Sequence, residues 1–159
     1  MSRTQNVESH AFRVEIRTTR EIAAPGAAVW SALADRDAYA QWNSFIRSWT
    51  GDWVIGARQV VRLEPTEKGG QTLSPRIVEL VPRKRLAWRG RIGIPGLLDG
   101  HHRFEIEDRE DGTSLFHHAE TLSGALVPLF RKMLTVDTPA AFHRMNDELA
   151  RRVEAGARR

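Results

Sequence analysis

Between residues 12 and 22 the chain alternates: Phe12, Val14, Ile16 and Ile22 fall on one parity, Arg13, Glu15, Arg17 and Glu21 on the other. That alternation predicts a half-buried strand. In "APGAAVWSALAD", which follows, Val29, Trp30 and Leu33 form one apolar face and Pro25 suits the first helical position. A second short helix is predicted from Asp37 to Trp42. From about 44 to 124 apolar runs are broken by turn residues at Gly51–Asp52, Gly56, Gly69–Gly70, Pro82, Pro95–Gly96 and Asp111–Gly112. No helical period lies between them to carry parallel crossovers, so the pattern predicts an antiparallel meander of about six strands. The period then changes. Phe142, Met145, Leu149 and Val153 recur at three- and four-residue steps, one stripe of an amphipathic helix starting at Thr138–Pro139. The preceding "ALVPLFRKML" reads as a helical first section, interrupted around Asp137–Pro139.

Strand, two short helices, about six strands and a long helix make an α+β chain. A curved antiparallel sheet of about seven strands gripping the C-terminal helix buries the sheet's apolar face and the helix stripe together. The 159 residues are enough for one domain, 1–159, with 1–10 and 156–159 expected as flexible ends. There is no cysteine, which excludes disulfides, thiolate metal sites and a thiol nucleophile. The N-terminus has no signal-like apolar core and no apolar run reaches membrane-spanning length, so the expectation is a soluble, cytoplasmic protein. The high isoelectric point, near 10.3, changes little. Arginines interleave with acids, and tight basic clusters occur only at PRKR 82–85 and at Arg158 and Arg159, so no stripe for nucleic acid is expected. Homodimerisation is left open.

The order of elements, with particular residues, resembles the SRPBCC superfamily: the helix-grip fold of START lipid-transfer domains, birch-pollen-allergen-like proteins and polyketide cyclase/dehydrase-like proteins. The likeness rests on "IAAP…VW.AL.D…Y..WN.F" at 22–45, "LAW" at 86–88, "GHHRFEIE" and "FHHAETLSGAL" in the last hairpin, and "FHRMNDELARRVE" at 142–154. Ser44 departs from it, standing where bacterial relatives often carry proline. The resemblance implies a cavity between sheet and long helix that holds a small hydrophobic molecule, and no cofactor. It implies no single chemistry.

Four of the six histidines lie in two HH doublets between residues 101 and 118. Neighbours on a strand point to opposite faces, so each doublet sends one imidazole inward. Phe104 and Ile106 as core place His102 inward; Phe116 and Leu122 place His118 and Glu120 inward, with His101 and His117 outward. An "EDG" turn with Gly112 left-handed pairs Phe104 with His118 and His102 with Glu120. Two histidines and a carboxylate without H-x-x-x-H spacing are read as no metal site. They are either satisfied buried groups or a polar patch that orients a ligand or moves a proton. Trp88 faces inward as core or ligand platform, and Arg89 and Arg91 face outward. Trp42 closes the sheet–helix junction, and Asn146, inward on the long helix, caps a buried group or touches ligand. The apolar loop "GIPGLLDG" (93–100), with Leu97 and Leu98, is a lid over the cavity mouth together with Leu126–Phe130, or packs there permanently.

The expected ligand contacts are therefore Trp88, His102, Phe104, Phe116, His118, Glu120, Phe142, Met145, Asn146, Leu97 and Leu98. The leading reading is a binder of a lipid-like, polyketide or aromatic molecule. Two alternatives stay open: a polyketide cyclase or dehydratase using His102, His118 and Glu120, and an interaction module without ligand. No nucleophile elbow, phosphate loop or paired catalytic acids appear.

Overall fold

The computed structural model describes residues 1–67 and 69–157. Its strands are β1 (Arg3–His10), β2 (Arg13–Ile22), β3 (Ile46–Thr50), β4 (Val60–Thr66), β5 (Gly69–Leu73), β6 (Arg76–Val81), β7 (Arg85–Ile92), β8 (Leu98–Asp108) and β9 (Ser114–Ser123). Helix α1 (Gly26–Ala34), a single 3-10 turn and α2 (Tyr39–Trp42) follow β2. At the C-terminal end, α3 (Val127–Lys132), a π turn (Met133–Asp137) and α4 (Thr138–Ala157) run on without a break. A six-stranded antiparallel sheet in the order β1-β2-β9-β8-β7-β6 and a three-stranded sheet β3-β4-β5 enclose the core against α4. The fold is the expected α+β arrangement of antiparallel sheet and gripping helix, with nine strands rather than about seven.

Part of the difference lies at the N-terminus. Residues 3–10, expected as a flexible end, form β1, paired with β2 along its whole length from Arg3↔Arg20 to His10↔Arg13. Only Val7 in it is half-buried, so no apolar alternation announces it. Its polar side chains suit an edge strand, which must not recruit another chain. The helix holds it in place: Arg131 donates to the carbonyls of His10 and Ala11 and to Ser9 Oγ. Phe12 sits in the β1–β2 turn and is 61% exposed, outside the alternation that buries Val14, Ile16 and Ile22. The expected flexible C-terminus falls partly outside the described residues; Gly156 and Ala157 still belong to α4.

Helix starts also differ in detail. Pro25 stands at the N-cap rather than inside α1, and the Gly26 N–H is received by Asp108 Oδ1 at 2.6 Å. The expected interruption at Asp137–Pro139 is not a break. Proline removes an N–H and crowds the turn before it. The helix absorbs this by widening to a π turn, in which Thr138 donates both its N–H and its hydroxyl to the Met133 carbonyl. Beyond it Ala141, Phe142, Met145, Asn146, Leu149, Ala150 and Val153 form the buried stripe.

The loop at residues 93–97 is fastened to the start of this helix. Ala125 and Leu126 donate backbone hydrogen bonds to the Gly96 and Leu97 carbonyls, and Gly124 donates to the Phe12 carbonyl. Gly124 has φ +134°, and a Cβ there would stand 2.5 Å from the Leu97 oxygen. Both conditions require glycine. Gly124→Ala is accordingly expected to lower stability by about 2 kcal/mol or more, or Tm by about 4–8 °C, in thermal unfolding followed by circular dichroism. An unchanged Tm would show that this junction is not a tight one.

Candidate functional site

The β8–β9 hairpin carries the site, and its geometry is the one the alternation predicts. Arg109 N–H donates to the Thr113 carbonyl at 2.9 Å, closing a Glu110-Asp111-Gly112 loop in which Gly112 has φ +81°. The register pairs Phe104 with His118 and His102 with Glu120. His102 and His118 are buried. His101 and His117 lie on the outer face, against Arg103 and against Thr19 and Glu107 respectively.

The two inward imidazoles belong to one chain of hydrogen bonds whose polarity can be read from its far end. The His118 backbone carbonyl can only accept, so Thr18 Oγ1, 3.0 Å away, donates to it. Thr18 Oγ1 then accepts from Asn146 Nδ2 at 2.9 Å, which turns Asn146 Oδ1 toward His118 Nδ1, also at 2.9 Å. His118 therefore carries its proton on Nδ1. Burial holds its pKa well below the ordinary histidine value, and the neighbouring His102 adds to this, so it is neutral and its Nε2 is a bare acceptor. His102 Nε2, 2.9 Å from it, must donate. The two Nε2 atoms bond each other rather than converge on a third point. His102 Nδ1 has no hydrogen-bond partner among the described residues and lies 3.7 Å from Glu120 Oε2. Rings lock the pair: His102 stacks on Trp88 at 4.5 Å and 7°, His118 on Phe142 at 3.7 Å and 12°.

Next to this chain the packing opens into a cavity of about 60 Å³, measured to the centre of a water-sized sphere. Of the expected contacts, Trp88, Leu98 and Glu120 line it. His102, Phe104, Phe116, His118, Phe142, Met145 and Asn146 are core side chains outside its lining. Leu97 stays within its own loop, against Gly93. Sequence reasoning missed most of the apolar wall: Phe45, Leu63, Leu73, Ile92, Leu122, Met133 and Leu134. Phe45 stood in the quoted "WN.F" series, and the apolar "VPLFRKML" segment was the signal for Met133 and Leu134. Two residues of the wall carry no side chain. Gly90 and Gly100 face each other across β7 and β8, and both line the cavity. Pro65, Gln71, Arg91 and Thr138 complete the lining, Arg91 from the solvent-exposed side.

His118 gives this region a pH signature. Its folded pKa lies well below the unfolded value near 6.5, so below that pH the unfolded chain takes up a proton that the folded chain refuses. The contribution is fully present above pH 6.5 and is lost as pH falls, with a slope of up to about 1.4 kcal/mol per pH unit. Urea unfolding of the wild type and His118→Gln between about pH 4.5 and 7.5 should show the shallower dependence in the variant. Parallel curves would mean that His118 takes a proton in the folded state.

Comparison with known proteins agrees with this architecture. The ZhuI aromatase/cyclase from Streptomyces sp. R1128 superposes with a TM-score of 0.74 at 15% identity, over 91% of this chain and 96% of that one. A START superfamily protein from Mycobacterium smegmatis gives 0.68 at 17% identity, over 89% and 97%. The TTHA0849 protein from Thermus thermophilus gives 0.71 at 15% identity, over 90% and 99%. At these identities the likeness is one of fold. No curated protein sequence matches the chain. The family model described as polyketide cyclase / dehydrase and lipid transport matches residues 13–155, so with its helix-grip architecture the chain belongs to that family, within the SRPBCC superfamily.

Proposed function

We propose that the protein binds a small, largely apolar molecule in the cavity between sheet and long helix, with Glu120 meeting the molecule's polar end. The observation that carries this reading is the lining: an apolar wall of aromatic and aliphatic side chains into which the hairpin presents one carboxylate, its side chain 13% exposed. At about 60 Å³ the cavity holds a few waters, whereas benzene occupies a cavity of roughly 150 Å³ in an engineered protein core. Ligand entry therefore widens it. Met133 and Leu134 line it from the π turn, a departure from regular helix geometry that recurs at functional sites. No described helix is long and apolar enough to cross a membrane.

The aromatase/cyclase among the structural neighbours supports a second reading, an enzyme of cyclase or dehydratase type. The hydrogen-bond chain narrows its roles. It ends inside the protein at the His118 carbonyl, so it offers no route for a proton to solvent at that end. Glu120, which reaches the cavity, would be the acid or base, and His102 and His118 its positioning partners. The binder is preferred because the chain is satisfied internally up to His102 Nδ1.

Two outcomes follow. N-phenyl-1-naphthylamine should bind saturably with fluorescence enhancement, and Gly100→Leu, which fills the cavity beside Glu120, should weaken it about tenfold or more, roughly 1.4 kcal/mol. Unsaturable binding, or equal affinity in the variant, would place the dye elsewhere and contradict the reading. For any co-purified ligand found by native mass spectrometry, Glu120→Gln should leave it chemically unchanged, as the wild type does. Conversion by the wild type that falls about a hundredfold in Glu120→Gln would establish the enzyme instead.

A further inference from the structure

The one orphaned atom of the buried chain points at the cavity's carboxylate. His102 Nδ1 is about 99% buried with its residue, has no hydrogen-bond partner among the described residues, and faces Glu120 Oε2 across 3.7 Å. Because His102 Nε2 must donate to His118, its Nδ1 is bare in the neutral ring. Two sets of lone pairs would then face each other with the His102 side chain 1% and the Glu120 side chain 13% exposed, an arrangement that costs both groups most of their solvation. A proton placed between the two would remove the conflict. The pair then offers one donor and one acceptor. Their 3.7 Å separation is too long for a direct hydrogen bond. It does admit an oxygen about 2.8 Å from each. Gly100 packs closely against the carboxylate: an added Cβ there would stand 3.2 Å from Glu120 Oε1, so a side chain at this position would crowd it.

From this geometry we infer that His102 Nδ1 and Glu120 form a clamp for one hydroxyl group of the bound molecule, an alcohol or phenol, which accepts a hydrogen bond from one member and donates to the other. The inference rests on the cavity being a ligand site that widens past Glu120 to His102 Nδ1, which lies outside the present lining, and adds the polar group that the ligand must carry. A hydroxyl fits because it is donor and acceptor at once. A methyl satisfies neither group, and an amine, chiefly a donor, matches a pair of acceptors better than a donor and an acceptor. Trp88, stacked on the His102 ring, and Phe142, edge-on to it at 5.3 Å, hold Nδ1 in the required direction.

The test uses three probes of nearly one shape: p-cresol, p-xylene and p-toluidine, titrated into the full chain by NMR. The ratio of p-xylene to p-cresol dissociation constants should fall tenfold or more from the wild type to Glu120→Leu, while p-xylene binding is kept or improved. In the wild type, with no variant needed, p-cresol should move the His102 Nδ1 nitrogen resonance and p-xylene should leave it in place. An unchanged ratio with an unmoved resonance removes the clamp and leaves the apolar site standing. A gain for p-toluidine equal to or above that for p-cresol shows two acceptors and overturns the shared proton. If no probe reaches the cavity, the ligand site itself falls, and the clamp with it.

Discussion

Two imidazoles taken out of water at the centre of a small domain need partners for their ring nitrogens, and the fold supplies three of the four, leaving only His102 Nδ1 unmet among the described residues. Thr18 on β2, His118 on β9, His102 on β8 and Asn146 on α4 each contribute one partner to a single run of hydrogen bonds. An unmet buried donor or acceptor costs about 1–3 kcal/mol, so a register slip in the sheet or a one-residue rotation of the helix would be penalised several times over. The same run thus fixes how the helix sits on the sheet. It also fixes the polarity of every bond, because it begins at a backbone carbonyl that only accepts.

The cavity is what remains where that packing stops. On one side Phe142, Phe104 and Phe45 close on the imidazoles, with ring centroids between 3.7 and 6.4 Å. On the other, Gly90 and Gly100 provide no side chain, and Glu120 stands at the border with one face toward His102. The buried chain and the apolar cavity are therefore one design: the first is satisfied by the protein up to its last atom, and that atom lies beside the second.

Much of this was legible from parity alone. A strand period of two, applied to Phe104, Ile106, Phe116 and Leu122, sorts the four histidines into two buried and two half-buried on the outer face and pairs His102 with Glu120. The helix stripe at Phe142, Met145, Leu149 and Val153 was equally plain, because a 3.6 period over twelve residues has few alternatives. What periodicity does not carry is contact between elements. That Asn146 meets His118 and Thr18 depends on the helix's rotation, and that most of the expected ligand residues end as core rather than lining depends on where two glycines face each other. The strand β1 carries no periodic signal because an edge strand needs no apolar face, and Phe12 falls in the turn before β2, so the alternation begins one residue later, at Arg13. The π turn was read as a break because proline signals disruption without saying how the helix absorbs it.

The tautomer of His118 tests the account most directly. Long-range proton–nitrogen correlation spectra of the ligand-free protein should show His118 neutral with its proton on Nδ1, unchanged as pH falls from about 8 to 5, the range in which a free histidine gains its charge. A proton on Nε2, or a titration midpoint near the ordinary histidine value, would reverse the chain of donors and contradict the account.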